Sequence, residues 1–170
     1  VVDSNNATLG AGILAERALA MVEEGMEAAE IAQRLMQERE KVCLVAMVDT
    51  LEYLKRGGRL SKTAAFAGEL LSIKPVLAIQ DGEIVMLGKA RGTRRGNQLM
   101  MSEIEKTGGI DFEQPFLMGY TGVNDQHLQA YLEESASAWE GKPAVRFTEM
   151  SSVIGTHTGP NTIAVGFFKK

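Results

Sequence analysis

Two glycines and an arginine at positions 57–59 form a motif whose residue types could bind an anion. Glycine lets the backbone come close to a ligand and adopt positive φ angles. The fork-shaped guanidinium of Arg59 follows the glycines and precedes a predicted helix start at Ser61, an arrangement that suits a carboxylate or a phosphate. An ordinary helix stop with a solvated arginine has the same pattern, so the motif alone leaves both interpretations open.

His157 is the second candidate, within the segment GTHTGPN at residues 155–161. We predict that this segment is a tight loop between strands. A histidine there could donate to an anion or act as an acid–base group near neutral pH. A turn histidine bonded to the backbone is the equal alternative. The other histidine, His127, falls on a predicted helix and is expected at the surface, which argues against a zinc site.

Four cations lie within seven residues, at a predicted strand end and the following helix start: Lys89, Arg91, Arg94 and Arg95. Cations at a helix N-terminus oppose the helix dipole. They are useful there if they face an anion or an acidic partner, and are otherwise a solvated face. We call these four residues the basic cluster.

The elements that would position these groups begin with an α/β layer. Residues 1–4 are predicted to be a strand end, and Asp3-Ser4 falls where open α/β sheets place ligands, although the pair is also an ordinary turn. Helices are predicted through residues 13–22 and 31–36. The apolar run 42–48 predicts a buried strand of a parallel sheet. This order is typical of the last part of a doubly wound layer.

The remainder predicts an α+β domain. Residues 73–79 and 83–90 predict a hairpin around Asp81-Gly82. The other expected elements are helices over 51–55, from Ser61 onward, 93–106 and 125–139, and strands over 116–120, 144–149 and 162–168. We therefore predict an α/β domain remnant at residues 1–50 and an α+β domain at 51–170, with the boundary between 50 and 61.

Composition narrows the function classes. The chain has 170 residues and a net charge of −4, which argues against non-specific nucleic-acid binding. Its longest apolar runs are too short to span a bilayer, and no secretory signal pattern is visible. A single cysteine excludes an internal disulfide framework. These features predict a cytoplasmic protein, and nine methionines predict a pliable apolar interior.

Several strings occur in a characteristic order: VDS at 2–4, GAG at 10–12, VDTLEYLKRGGR at 48–59, LSIKPVL at 71–77, DGE at 81–83, GKAR at 88–91 and HTGP at 157–160. In these strings the chain resembles the DegV family of bacterial fatty-acid-binding proteins, to which LEYLxxGGR is quite specific. The family often has glycine after the Gly-Pro, where this chain has Asn161, a residue type that tolerates left-handed φ.

The resemblance implies a two-domain protein of which this chain is the carboxy-terminal part. It implies an α/β domain with a parallel sheet, followed by an α+β domain that encloses an acyl chain. The implied function is that of a lipid carrier and not an enzyme, with a bound long-chain fatty acid and neither cofactor nor metal. Such a carrier presents the lipid carboxylate to a separate fatty acid kinase, which forms an acyl phosphate.

Roles for individual residues follow from the resemblance, which places Arg59 and His157 near the lipid head group, and from the charge or apolar character of the others. Arg59 and His157, with Gly58 and Thr156, are predicted to bind the lipid head group. The basic cluster is predicted to dock the kinase. The predicted acyl-chain pocket comprises Phe66, Leu70, Leu71, Ile73, Val76 and Leu77.

Two other function classes stay open. One is an enzyme that uses His157 as a phosphocarrier or covalent substrate anchor, because the family's first domain resembles phosphotransfer and dihydroxyacetone-kinase domains. Against it, no nucleotide-binding glycine loop and no paired metal-binding carboxylates are visible. The other class is a protein-interaction module that uses the basic cluster without a ligand.

Overall fold

The computed structural model describes residues 1–60 and 72–170. Its helices are α1 (Thr8–Glu23), α2 (Ala28–Glu38), α3 (Glu52–Arg56), α4 (Thr93–Lys106), α5 (Gln126–Glu134), α6 (Ala136–Trp139) and α7 (Ser152–Thr158). Its strands are β1 (Val42–Met47), β2 (Ile73–Gln80), β3 (Glu83–Arg91), β4 (Leu117–Tyr120), β5 (Phe147–Glu149) and β6 (Ile163–Phe168). The fold is α/β, as predicted.

The strands form one six-stranded sheet in the order β3-β2-β1-β6-β4-β5. The prediction that β1 belongs to a parallel sheet is wrong, because β1 runs antiparallel to both β2 and β6. Its continuous apolar run has another cause: β1 is central and covered by helices on both faces, and burial alone does not encode strand direction. The parallel pair in the described sheet is β4 with β5.

Alternate residues of β1 serve two separate cores. Val45 and Met47 pack toward α4 and α5, in a cluster that includes Met100, Ile104, Leu128 and Tyr131. Leu44 and Ala46 point to the other face, where they cluster with Leu9 of α1. The division into two domains near residues 50–61 stays a prediction. Strand β1, which precedes that boundary, shares one sheet with β2 and β6, which follow it.

Local sequence signals predicted several elements correctly. The β2–β3 hairpin turns at Asp81 and Gly82, whose φ angles of 52° and 77° suit the tight turn that an Asp-Gly pair favours. Helix α4 spans residues 93–106, and α1 and α2 contain the predicted segments. The predicted helix from Ser61 lies outside the described residues. Within the described ranges, no helix is long and apolar enough to cross a bilayer.

Three other segments differ from the expectation. Residues 1–4 join no strand ladder; Asp3 Oδ1 instead accepts a turn bond of 2.9 Å from Asn5 N. The strand expected over 144–149 is only β5, and the helix expected over 125–139 breaks at Ser135. The Ser135 hydroxyl donates to Tyr131 O at 2.5 Å and accepts from Trp139 Nε1 at 2.8 Å.

The loop predicted over residues 155–161 is wrong for its first part. Residues 155–158 form the last turn of α7, which ends at Thr158, whereas residues 159–161 lie after the helix and form a turn that leads into β6. The Thr156 hydroxyl donates to Ser152 O at 2.8 Å, and the Thr158 hydroxyl donates to Ile154 O at 3.2 Å. These bonds to the preceding turn let threonines, which favour turns and caps, remain in a helix.

Candidate functional site

The Gly57-Gly58-Arg59 motif is the C-terminal cap of α3. Gly58 has a φ of 68°, the left-handed conformation that favours glycine. Its N–H donates to Lys55 O at 3.1 Å, and Arg59 N–H donates to Leu54 O at 2.9 Å. This pair of bonds is the Schellman motif, which satisfies the last carbonyls of a helix. The motif therefore does stop a helix, and it also fixes where Arg59 leaves the backbone.

Arg59 is exposed and turns back over its own cap. Its Nη1 donates to Gly57 O at 2.8 Å. One arm of the guanidinium is thus tied to the turn. An exposed guanidinium held in this way presents its remaining N–H groups to an approaching carboxylate or phosphate.

His157 lies directly against this turn. A Cβ built on Gly57 would lie 2.2 Å from His157 Nδ1, so only glycine leaves room for the imidazole. A second close approach joins Gly159 to Tyr53 of α3, where a Cβ would lie 2.4 Å from the aromatic ring. The two motifs that sequence reasoning singled out therefore meet, with a glycine at each contact.

The backbone after His157 is held by threonines that sequence reasoning missed. Gly159 has a φ of 78°, and its carbonyl accepts from the Thr121 hydroxyl at 2.6 Å. Thr121 Oγ1 also accepts from Thr162 N at 3.1 Å, and both threonines are buried. No short-range signal marks Thr121, because it acts across 38 residues. His157 Nδ1 is itself buried and has no hydrogen-bond partner among the described residues.

A charged group lies beyond this backbone. Asp49, which follows β1, accepts from Lys74 Nζ of β2 and from Asn161 Nδ2 at 2.9 Å. Partial burial alone would raise the pKa of the Asp49 carboxyl. The hydrogen bonds from Lys74 and Asn161 and the nearby charges of Lys74 and His127 outweigh it, so this pKa lies below its ordinary value. His127 is half-buried near Asp49, and not the exposed residue that was expected.

The basic cluster spans the end of β3 and the first turn of α4, joined by Gly92 at a φ of 81°. All four side chains are exposed. None of them forms a hydrogen bond or an ion pair with residues 1–60 or 72–170. The four charges are thus presented to solvent at one end of the edge strand.

The predicted pocket residues do not share one surface. Val76 is fully buried in the core beneath α4, whereas Leu77 faces the opposite side of the sheet with Val48 and Leu54. Ile73 is half-buried at the start of β2. The remaining three, Phe66, Leu70 and Leu71, lie outside the described residues. Thr156 is exposed, with its hydroxyl bonded within α7.

Metal chemistry finds no support in the described part of the chain. Among these residues, no group of three or more His, Cys, Asp or Glu side chains could hold a metal ion. What the arrangement offers is a set of hydrogen-bond donors, Arg59 and His157, on two packed helix ends. Such a set suits a small anionic head group.

The sequence model of the family described as "Uncharacterised protein, DegV family" matches residues 1–170. A DegV domain-containing protein of Clostridium perfringens is 35% identical over 170 residues, which are 98% of this chain and 57% of that protein. The chain therefore spans somewhat under three fifths of the length of this relative.

Solved structures show the same fold. A DegV family protein of Thermus thermophilus, described as fatty acid binding, has a TM-score of 0.83 and 28% identity over all of this chain and 60% of its own. The Streptococcus pneumoniae Fatty Acid Kinase (Fak) B3 protein, loaded with linoleic acid, has a TM-score of 0.83 and 22% identity over all of this chain and 59% of its own. At 22% identity the likeness concerns the fold alone.

Proposed function

The chain belongs to the DegV family, and from this premise we propose that it binds a long-chain fatty acid and presents the carboxylate to a separate fatty acid kinase. The contact between Gly57 and His157 carries the proposal, because it joins the Arg59 turn to the histidine. The Thermus thermophilus relative is a fatty-acid-binding protein, and the Streptococcus pneumoniae neighbour is named for a fatty acid kinase. A kinase that uses ATP works in the cytoplasm, where we place this carrier.

The lipid carboxylate binds between the α3 cap and the end of α7. Arg59 is already tethered to Gly57 O, so little conformational entropy remains to be lost when it binds an anion. The imidazole of His157 lies against the same turn. Gly58 contributes the left-handed backbone that the cap requires. Thr156 is the weakest of the four predicted head-group residues, because its hydroxyl is engaged within α7.

The acyl chain lies on the face of the β2–β3 hairpin that Leu77 shares. Side chains alternate along a strand, so Leu77 and Ile79 point to the same face of the sheet. Their cross-strand partners on β3 are Met86 and Ile84, respectively. Leu77 and Ile84 belong to one apolar cluster, and Met86 is 40% exposed. Ile73 lies on the same face by this alternation. Val76 points away from it, which removes Val76 from the proposed lining.

The acyl chain and the carboxylate of the ligand contribute differently to the binding free energy. Burial of a methylene contributes about 0.8 kcal/mol, so some 14 methylenes supply roughly 11 kcal/mol before the entropic cost of binding. A charge-assisted hydrogen bond contributes about 1.5–3 kcal/mol. The acyl chain therefore supplies most of the affinity, while the head-group residues determine which end of the lipid stays accessible.

The first test is lipid extraction from the purified protein, followed by mass spectrometry. The carrier proposal expects long-chain fatty acid in the extract and a thermal shift on adding oleate. Protein that repeatedly yields no lipid, and shows no shift, is not a carrier. Bound lipid would also separate this proposal from an interaction module without a ligand.

The head-group assignment is tested with Arg59→Ala and His157→Ala. Arg59→Ala should weaken fatty-acid binding by about 1.5–3 kcal/mol. His157→Ala should reduce phosphorylation of the bound lipid more than it reduces binding. Arg56→Ala is the matched control, because Arg56 is a nearby exposed arginine at the end of α3 whose ion pair is with Glu52. Wild-type behaviour of both site variants would remove these residues from the site.

The acyl-chain surface is tested with Met86→Glu, which places a charge on the proposed lining at a side chain that is already 40% exposed. Fatty-acid binding should fall sharply while the unfolding midpoint changes little. Leu19→Glu is the control, an exposed apolar residue of α1, 64% accessible. An equal loss of binding in both variants would mean that the hairpin face is not the lining.

The basic cluster is the proposed docking surface for the kinase. Its charges are exposed and stand at a helix start where cations are intrinsically disfavoured. On a chain of net charge −4, a local positive surface steers an acidic partner by complementary potential.

Charge reversal tests this docking surface. Arg94→Glu with Arg95→Glu should leave folding and lipid content unchanged and slow acyl phosphate formation by purified kinase, chiefly through the association rate. The wild-type rate should also fall as salt is raised. Arg34→Glu with Lys41→Glu is the charge-matched control at exposed positions elsewhere. Rates that ignore both the reversal and the salt would leave the cluster as a solvated face.

A further inference from the structure

The Asp49 carboxylate joins three segments that are distant in sequence. Asp49 follows β1, Lys74 lies on β2, and Asn161 follows α7. One carboxylate oxygen accepts from Lys74 Nζ, and the other accepts from Asn161 Nδ2 at 2.9 Å. The side chains of Lys74 and Asp49 are only 15% and 31% exposed, so water and salt screen this group less than a fully exposed ion pair.

Asn161 connects this carboxylate to His157. Only three residues separate them, and Pro160 is one of these, with its φ restricted by its ring. Gly159 and Asn161 both adopt positive φ, at 78° and 61°. The Asn161 N–H donates to Thr121 O at 2.9 Å while its side chain donates to Asp49. The backbone between His157 and the anchored Asn161 therefore has little freedom.

His157 has no polar anchor of its own at Nδ1, which is buried and forms no hydrogen bond with the described residues. Its ring position is therefore set by packing against Gly57 and by the backbone that follows it. We propose that Asp49 is a positioning residue for His157, acting through a latch formed by the Asp49 carboxylate and the Asn161 carboxamide. This role rests on the proposed function of His157 in head-group binding.

Lys74 orients the latch. By holding one carboxylate oxygen, it directs the other toward Asn161. The Thr121 bonds to Gly159 and Asn161 use the backbone of those residues and not the side chains of the latch, so we expect the fold to survive loss of the latch. The latch thus acts on the placement of the imidazole more than on global stability.

Asn161→Gly tests the latch with little disturbance of the backbone, because glycine adopts positive φ freely. Asn5→Gly is the matched control: Asn5 has a φ of 51°, and its side chain forms no hydrogen bond with the described residues. The readouts are the imidazole NMR signals of His157, the fatty-acid release rate and the unfolding midpoint. We expect Asn161→Gly to shift or broaden the His157 signals and to speed release about tenfold, the effect of one lost charged hydrogen bond. Asn5→Gly should change neither.

Exchanging the carboxylate and the carboxamide between positions 49 and 161 distinguishes positioning of His157 by the latch from an effect of packing alone. Asn161→Asp alone places two carboxylates together and should displace His157 further. Combined with Asp49→Asn, it restores one amide and one carboxylate, so the His157 signals and the release rate should return toward wild type. Unchanged His157 signals in Asn161→Gly, equal changes in Asn5→Gly, or a folded swap variant without rescue would each overturn the latch. Because the NMR readout needs no lipid, a protein that binds no fatty acid would refute the proposed function independently.

Discussion

Replacement of Gly57 by alanine is the most direct test of the contact between the α3 cap and His157. The added Cβ would lie 2.2 Å from His157 Nδ1 and 2.9 Å from Cε1, distances at which the ring must move. Backbone strain does not contribute, since Gly57 has a φ of −75° and a ψ of −3°, which alanine adopts readily. The substitution therefore isolates the steric conflict.

The expected magnitude follows from comparison with Gly155 of α7. A Cβ on Gly155 meets nothing within 4 Å, so Gly155→Ala should stabilise the protein by about 0.4–1 kcal/mol through the unfolded chain. Gly57→Ala carries the same benefit minus an overpacking cost of about 1–3 kcal/mol. The free energy of unfolding of Gly57→Ala should thus be roughly 1–3 kcal/mol lower than that of Gly155→Ala.

Urea unfolding of a double-mutant cycle identifies the partner in this conflict. When His157→Ala is already present, the imidazole is gone and Gly57→Ala should lose its steric cost. We expect a coupling free energy of at least about 1 kcal/mol between the two positions. If Gly57→Ala costs the same with and without the imidazole, the turn and the histidine do not touch, and the site geometry is wrong.

Three further predictions concern other parts of the molecule. The Asp49 pKa is lowered in the folded state, because its hydrogen bonds outweigh partial burial, so its carboxylate stabilises the fold near neutral pH. At pH 7 the free energy of unfolding in urea should be about 1–2 kcal/mol higher for wild type than for Asp49→Asn. This difference should be lost below about pH 4, where the carboxylate becomes protonated. A difference that does not change with pH would contradict the hydrogen bonds of the Asp49 carboxylate. Gly159→Ala adds a collision with the Tyr53 ring to positive-φ strain, so it should lower the thermal midpoint more than Gly141→Ala, where a φ of 70° occurs in open space. Burial raises the pKa of the Cys43 thiol, so a thiol reagent at pH 8 should modify the native protein more slowly than the unfolded protein. Equal rates would show an accessible thiolate.

Elements whose signals lie within a few residues could be predicted. The Asp81-Gly82 pair marks its hairpin because the turn needs positive φ at both positions. Helix α4 follows from its apolar periodicity and the glycines after it. The strand direction of β1 could not be predicted, because it depends on β2 and β6, which follow β1 by tens of residues.

The candidate site also has features that could be predicted from local sequence and features that could not. Its residue types and their grouping into two motifs, at 57–59 and around His157, are properties of the sequence alone. Local sequence did not predict α7, because glycine and threonine disfavour helix. The contacts of Tyr53 and Thr121 with Gly159, the residue that follows the helix, come from distant parts of the chain.

Pairing of the two motifs was decided by the tertiary structure. Gly57 and His157 are 100 residues apart, and nothing in the sequence between them encodes that one must be small because the other lies against it. The link from Asp49 to Asn161 spans 112 residues and depends on β1 and β6 being neighbours in the sheet. Local sequence sets backbone preferences of a fraction of a kcal/mol to about 1 kcal/mol per residue. Contacts between distant residues form only when the whole sheet closes, and they determine where these side chains stand.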